Sequence, residues 1–123
     1  GPIADTHADE LLRRLELPSA IIRLTMPQLK AGYTPTLKMR RFVQTRDRHC
    51  RFPGCRRPAR NCDLDHIVPW PTGPTDADNL QALCRYHHRI KTHGKWRVER
   101  QPDGTTIWIS PRGKRYTNPP DDP

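Results

Sequence analysis

Apolar positions along this chain come in short groups broken by proline and glycine, so the elements they predict are short. Residues 1–17 read as a helix that Asp5 or Thr6 caps, with Asp9 and Glu10 in its first turn, Leu11, Leu12 and Leu15 as its apolar stripe, and Pro18 as its stop. A strand over residues 20–25 follows, ahead of the breakers Pro27 and Gly32. A second helix starts at Thr34 or Thr36 and runs to about Asp47, with Leu37, Met39, Phe42 and Val43 on its apolar side. Its charges Lys38, Arg40, Arg41 and Arg46 form either a solvated face or a phosphate-contacting one. Residues 48–62 are turn-rich and basic. Residues 63–68 read as a short strand, and residues 79–93 as a turn into a short helix closed by Gly94. From Lys95 the pattern is β-like: Trp96 and Val98 alternate with charges, Pro102-Asp103-Gly104 turns the chain, and residues 106–109 return. Pro111-Arg112-Gly113 predicts a further turn before Tyr116, and residues 118–123 are expected to fray. The alternation predicts burial of Trp96 and Trp108, while Trp70 lies in a proline-rich loop where the pattern does not decide its burial.

Composition narrows the picture. A chain of 123 residues fits one domain, and with 33% hydrophobic residues and a mean hydropathy of −0.91 its core must be thin. Small domains of this kind are often stapled by a metal or by disulfides. There are 22 basic and 13 acidic residues, giving a net charge of +9 and a pI near 10.0. Such a surface attracts polyanions, with nucleic acid ahead of an anionic membrane. No apolar run reaches the ~18 residues that span a bilayer, and no secretory signal is recognisable, so a cytoplasmic, non-membrane protein is expected. The first residue is Gly1, not Met. We therefore expect a piece of a longer parent chain, with Gly1-Pro2 as a cleavage scar.

Two constellations carry chemistry. Cys50-x4-Cys55 forms a knuckle bent by Pro53-Gly54, and Cys84-x2-His87 falls at a helix start, where positions i and i+3 share a face. Two such pairs predict a closed tetrahedral Cys3His site, which is structural and suits Zn²⁺. Cys62 is a rival for the fourth position, held here by His87. The second constellation is Asp65-His66, Asn79 and His88. On a strand, Asp65 and His66 face opposite ways, so one can hold a metal while the other meets a water. His88 follows His87 by about 100° around the helix, so the two imidazoles can serve different ions.

Asp65-His66-Ile67-Val68-Pro69, then Asn79-Leu80, then Leu83-Cys84-x-x-His87-His88-x-x-Lys91 resembles the HNH motif of the ββα-metal, or His-Me finger, nucleases. The run Cys50-Arg51-Phe52-Pro53-Gly54-Cys55 through Cys62-Asp63-Leu64-Asp65-His66 is similar to actinobacterial zinc-containing HNH proteins, and the likeness spans residues 33 to 117. The resemblance implies that His66 is the general base, that Asp65 and His88 hold the catalytic ion, and that Asn79 braces the intervening loop. It also implies zinc ligands at Cys50, Cys55, Cys84 and a fourth residue that is usually cysteine. The catalytic ion is expected to be Mg²⁺ or Mn²⁺, with Ni²⁺ or Zn²⁺ also tolerated by imidazole. Arg51, Arg56, Arg57, Arg85, Arg89 and Lys91 are candidate phosphate contacts.

The expected protein is a small zinc-stapled α+β domain on a ββα-metal motif, with flanking helices and a C-terminal β-hairpin. Residues 1–32 form a helical extension, 33–117 the nuclease domain and 118–123 a disordered tail. The expected reaction is phosphodiester hydrolysis in nucleic acid, DNA in the first instance. An immunity protein would be a partner if the parent is a toxin. A basic zinc module that binds DNA without cutting it is the rival reading.

Overall fold

A computed structural model describes residues 32–121; the helix expected over residues 1–17 and the strand over 20–25 lie outside the described residues. Helix α1 (Leu37–Asp47) starts where Thr36, in extended conformation, turns its side chain to accept from the Met39 N–H at 3.1 Å. Met39, Phe42 and Val43, spaced i, i+3, i+4, form its buried side. It ends at Arg48, whose φ of 66° turns the chain out.

Strands β1 (Asp63–His66) and β2 (Leu80–Leu83) pair antiparallel, with Asp65 opposite Gln81 and His66 opposite Leu80. Helix α2 (Arg85–Gly94) follows at once, with Cys84 as the residue before its first turn. These three elements are the ββα unit. The expected hairpin is present as β3 (Arg97–Arg100) and β4 (Thr106–Ile109), and β5 (Arg115–Asn118) extends it to a three-stranded antiparallel sheet in the order β3-β4-β5. Gly104 and Gly113 adopt φ of 92° and 88°, which explains why both connecting turns carry glycine. Among the described residues no helix is long and apolar enough to cross a membrane.

Three boundaries differ from the sequence reading. β1 stops at His66, two residues short of the strand expected over 63–68. β2 falls in the segment read as a turn into a helix. Leu80, Gln81, Ala82 and Leu83 are all buried, so their pattern carries no period-2 alternation, and pairing with β1 decides the conformation. Gly94 is the last residue of α2, not the residue beyond it, and Lys95 takes the left-handed position with φ of 59°.

The apolar core is small. Met39, Phe42 and Val43 gather with Leu80, Ala82 and Leu83, and the cluster continues through Val98 to Trp108, which is fully buried. Trp96 is half-buried against Phe52, Trp108 and Tyr116. Buried charge supplements this core. Arg46 binds Asp47 (2.7 Å) and also donates to the carbonyls of Ala77 (2.7 Å) and Leu80 (2.6 Å). Arg100 Nη1 donates to the carbonyls of Asp78 and Leu80, both at 3.1 Å. Asp47 accepts from the Ala82 N–H at 2.8 Å, locking α1 to β2. Burial alone would raise the Asp47 carboxyl, but the charge and hydrogen bond of Arg46, the charge of Arg100 and the Ala82 N–H outweigh it and hold the group below the ordinary carboxylate range.

The end of the described chain is docked where fraying was expected. Asn118 Nδ2 donates to the Arg51 carbonyl (2.6 Å), Arg51 donates to the Pro119 carbonyl (2.7 Å), and Asp121 lies 2.8 Å from His49 Nε2.

Asp47→Asn should lower the unfolding free energy by about 3–5 kcal/mol, because it removes a buried carboxylate that pairs with Arg46 and faces the charge of Arg100. A depressed carboxyl stabilises above its unfolded pKa and stops doing so as pH falls through its folded one. The gap between wild type and variant, read from denaturant midpoints, should therefore be widest near neutral pH and close in acid; an equal midpoint at neutral pH would contradict the role of Asp47.

Candidate metal centres and active site

The first cluster assembles around His87. Cys50 and Cys55 flank a tight turn in which the Cys55 N–H donates to the Phe52 carbonyl (3.0 Å), with Gly54 at φ of 84°. Cys84 immediately precedes α2 and His87 lies in its first turn. The ligand atoms of Cys50, Cys55, Cys84 and His87 all lie within 4.8 Å of one another. Cys50 Sγ is 3.6 Å and Cys84 Sγ 3.3 Å from His87 Nδ1. These spacings and this donor set fit a tetrahedral zinc ion. Cys62 stands apart, its thiol turned to the carbonyls of Pro58 (3.4 Å) and Arg57 (3.8 Å). Burial first, with the neighbouring thiols, pushes Cys62 up to about 11, so it stays a neutral thiol. Phe52 stacks flat on the His87 ring at 4.1 Å, which fixes the imidazole plane.

The second cluster lies on β1 and α2. Asp65 is buried opposite Gln81, whose amide donates to it at 3.0 Å. From α2, Lys91 Nζ reaches Asp65 Oδ1 at 3.1 Å and the His66 carbonyl at 3.0 Å. His88 Nε2 lies 3.5 Å from Asp65 Oδ1. A carboxylate and an imidazole at that separation suit two ligands of one divalent ion, with water and phosphate oxygens completing its shell. The ammonium of Lys91 already neutralises Asp65, which keeps a buried carboxylate tolerable.

His66 faces elsewhere. Its Nε2 is 2.8 Å from Thr75 Oγ1, and that hydroxyl donates to the Tyr33 carbonyl at 3.1 Å. The carbonyl can only accept, so the single hydroxyl hydrogen goes there and Nε2–H donates to Thr75. The lone pair of the neutral ring is then on Nδ1. Burial lowers the His66 pKa, the Asp65 charge opposes it, and the charges of Lys91 and His88 add to the lowering. The Tyr33 ring stacks on His66 at 5.1 Å, and Trp70 lies 6.3 Å from it. Asn79 holds the loop between the strands: its Oδ1 accepts from the Val68 N–H (3.0 Å), and its Nδ2 donates to the carbonyls of Val68 (3.0 Å) and Pro74 (2.9 Å). Gly73 is needed beside it, since a Cβ there would run into the Val68 carbonyl and the Asn79 amide.

The six basic candidates divide. Arg56, Arg57, Arg85 and Arg89 are exposed. Arg51 and Lys91 are buried, and neither offers its charge to solvent. Arg51 continues the pairing onto β2 through its N–H to Ala82, and its guanidinium fills the gap between Asp47, His49 and the docked tail. Sequence reasoning missed Asp63. It sits two residues before Asp65, on the same face of β1, and accepts from His88 Nδ1 at 3.0 Å and from Arg85 Nε at 2.9 Å. The i, i+2 relation to Asp65 was the available signal.

Residues 48–94 match the HNH endonuclease family, so the ββα unit and its cysteine staple are an HNH domain. The chain is also 51% identical over 90 residues to the uncharacterized protein Rv3776 of Mycobacterium tuberculosis, a match covering 72% of this chain and 17% of that protein. It is 52% identical over 89 residues to the uncharacterized protein Rv2100 of the same organism, covering 72% and 16%. A third relative, the uncharacterized protein Mb1179c of Mycobacterium bovis, is 32% identical over 87 residues, covering 63% and 19%. The chain thus spans under a fifth of the length of these relatives. No solved structure matches it.

Replacing His87 or Cys55 with alanine should abolish zinc retention and lower the melting temperature, whereas Cys62→Ala should keep one zinc per chain by elemental analysis. Loss of zinc from the Cys62 variant would move the fourth ligand to that residue.

Proposed function

We propose that this HNH domain is a metal-dependent endonuclease that hydrolyses phosphodiester bonds, with DNA as the first substrate to test. The observation that carries the reading is the pairing of two features on one ββα unit: a buried His66 whose Nδ1 has no hydrogen-bond partner among the described residues, and Asp65 and His88 placed 3.5 Å apart, close enough to share an ion. Mg²⁺ or Mn²⁺ held by Asp65 and His88 would polarise the phosphate and stabilise the departing 3′ oxygen. His66 Nδ1 takes a proton from the attacking water, while Thr75 keeps the ring oriented through Nε2. Asn79 holds the loop after β1 at a fixed distance from the start of β2 and does not touch the reacting atoms. Exposed Arg56, Arg57, Arg85 and Arg89 neutralise neighbouring phosphates and set the register of the strand. The domain acts within a longer parent protein, as the partial coverage of its relatives supports.

Supercoiled plasmid incubated with the zinc-loaded protein should be nicked with Mg²⁺ or Mn²⁺ and left intact when no divalent ion is added. His66→Ala should slow nicking by about 10²–10⁴-fold while melting temperature and zinc content hold. Binding of the plasmid without nicking under every divalent ion would leave a DNA-binding module instead, and wild-type rates in His66→Ala would remove His66 from the reaction.

A further inference from the structure

We propose that Asp63 is a positioning residue for the catalytic ion and acts through His88; this rests on the reading that His88 and Asp65 share that ion. An imidazole can offer one nitrogen to a metal when the other N–H has an acceptor, and that second hydrogen bond decides which nitrogen is offered. Asp63 Oδ2 lies 3.0 Å from His88 Nδ1, and Nε2 of the same ring faces Asp65 Oδ1 at 3.5 Å. With Nδ1–H given to Asp63, the Nε2 lone pair is on the side of Asp65.

The backbone makes the arrangement. Asp63 and Asp65 are two residues apart on β1, so both carboxylates project from one face, and α2 lays His88 across that face. The two carboxylates differ in their surroundings. Asp65 is 6% exposed at its side chain and is held by Gln81 and Lys91, whereas Asp63 is 29% exposed and is held from outside by Arg85 through Nε (2.9 Å) and Nη2 (3.3 Å). Asp63 is therefore clamped between a guanidinium and the imidazole. The sheltered carboxylate is left to the ion and the outer one orients its ligand.

Mn²⁺ affinity of the zinc-loaded protein, measured by calorimetry without nucleic acid, separates this role from a plain surface ion pair. Asp63→Ala should weaken Mn²⁺ binding by about 10–100-fold, with melting temperature and zinc content unchanged. Asp63→Asn should recover most of the loss, because its carbonyl oxygen still accepts from Nδ1–H. Arg85→Ala leaves the Asp63–His88 hydrogen bond in place and should lose far less Mn²⁺ affinity than Asp63→Ala. Wild-type affinity in Asp63→Ala, or an equal loss in Arg85→Ala, would overturn the inference. His88→Ala in parallel keeps the two ideas apart. If it loses Mn²⁺ while Asp63→Ala does not, the inference about Asp63 fails alone. If it retains both Mn²⁺ and nicking, the reading of His88 fails and takes Asp63 with it.

Discussion

Helix α2 has a polar composition and one buried residue, Lys91, so apolar packing does little to fix how it is rotated about its own axis. The convergence of Cys84 and His87 with Cys50 and Cys55 does that instead. Two ligands one turn apart set both the position and the rotation of the first turn of the helix. His88 is the next residue, about 100° further round, and Lys91 follows one turn after His87. Once the thiolate cluster is closed, both side chains are carried to Asp65 with little freedom left. The same four residues tie the 50–55 knuckle to the ββα unit, and Arg51 then continues the strand pairing onto β2. An ion held by the cysteine cluster would therefore be coupled, through one peptide bond, to the placement of His88 beside Asp65.

Positive charge has two separate uses in this molecule. Arg46 and Arg100 converge on the carbonyls around Ala77 and Leu80, where the chain enters β2. Arg51 joins α1 to the docked tail. These groups replace hydrophobic mass that the thin core lacks, and Asp47 keeps their charges tolerable. The formal excess of +9 thus overstates what is offered to a polyanion. Exposed arginines near the HNH unit, not the total, are the relevant quantity for substrate attraction.

The local sequence made much of this legible. Paired ligand spacing grouped Cys50, Cys55, Cys84 and His87, and the helix carrying Met39, Phe42 and Val43 starts at Thr36 as its capping chemistry suggested. The resemblance singled out Asn79, and its amide makes three hydrogen bonds to the backbone of Val68 and Pro74. What stayed hidden depended on tertiary contact. Leu-Gln-Ala-Leu at 80–83 is buried on both faces and so looks like no strand in particular. Lys91 and Arg51 look like surface cations until their buried acceptors are seen. Asp63 reads as one more acidic residue in a short run, because its partner sits 25 residues away on another element.

The pocket that Gly73 shares with Val68 and Asn79 has a consequence for genetics. The position bears no functional group, yet any side chain larger than hydrogen would push the Asn79 amide off its two carbonyl acceptors and shift the segment that follows His66. In a saturation screen scored on survival or cleavage, it would rank beside true reacting groups. Sorting such a hit from chemistry takes backbone geometry, since loss-of-function frequency alone treats a steric keyhole and a proton acceptor alike.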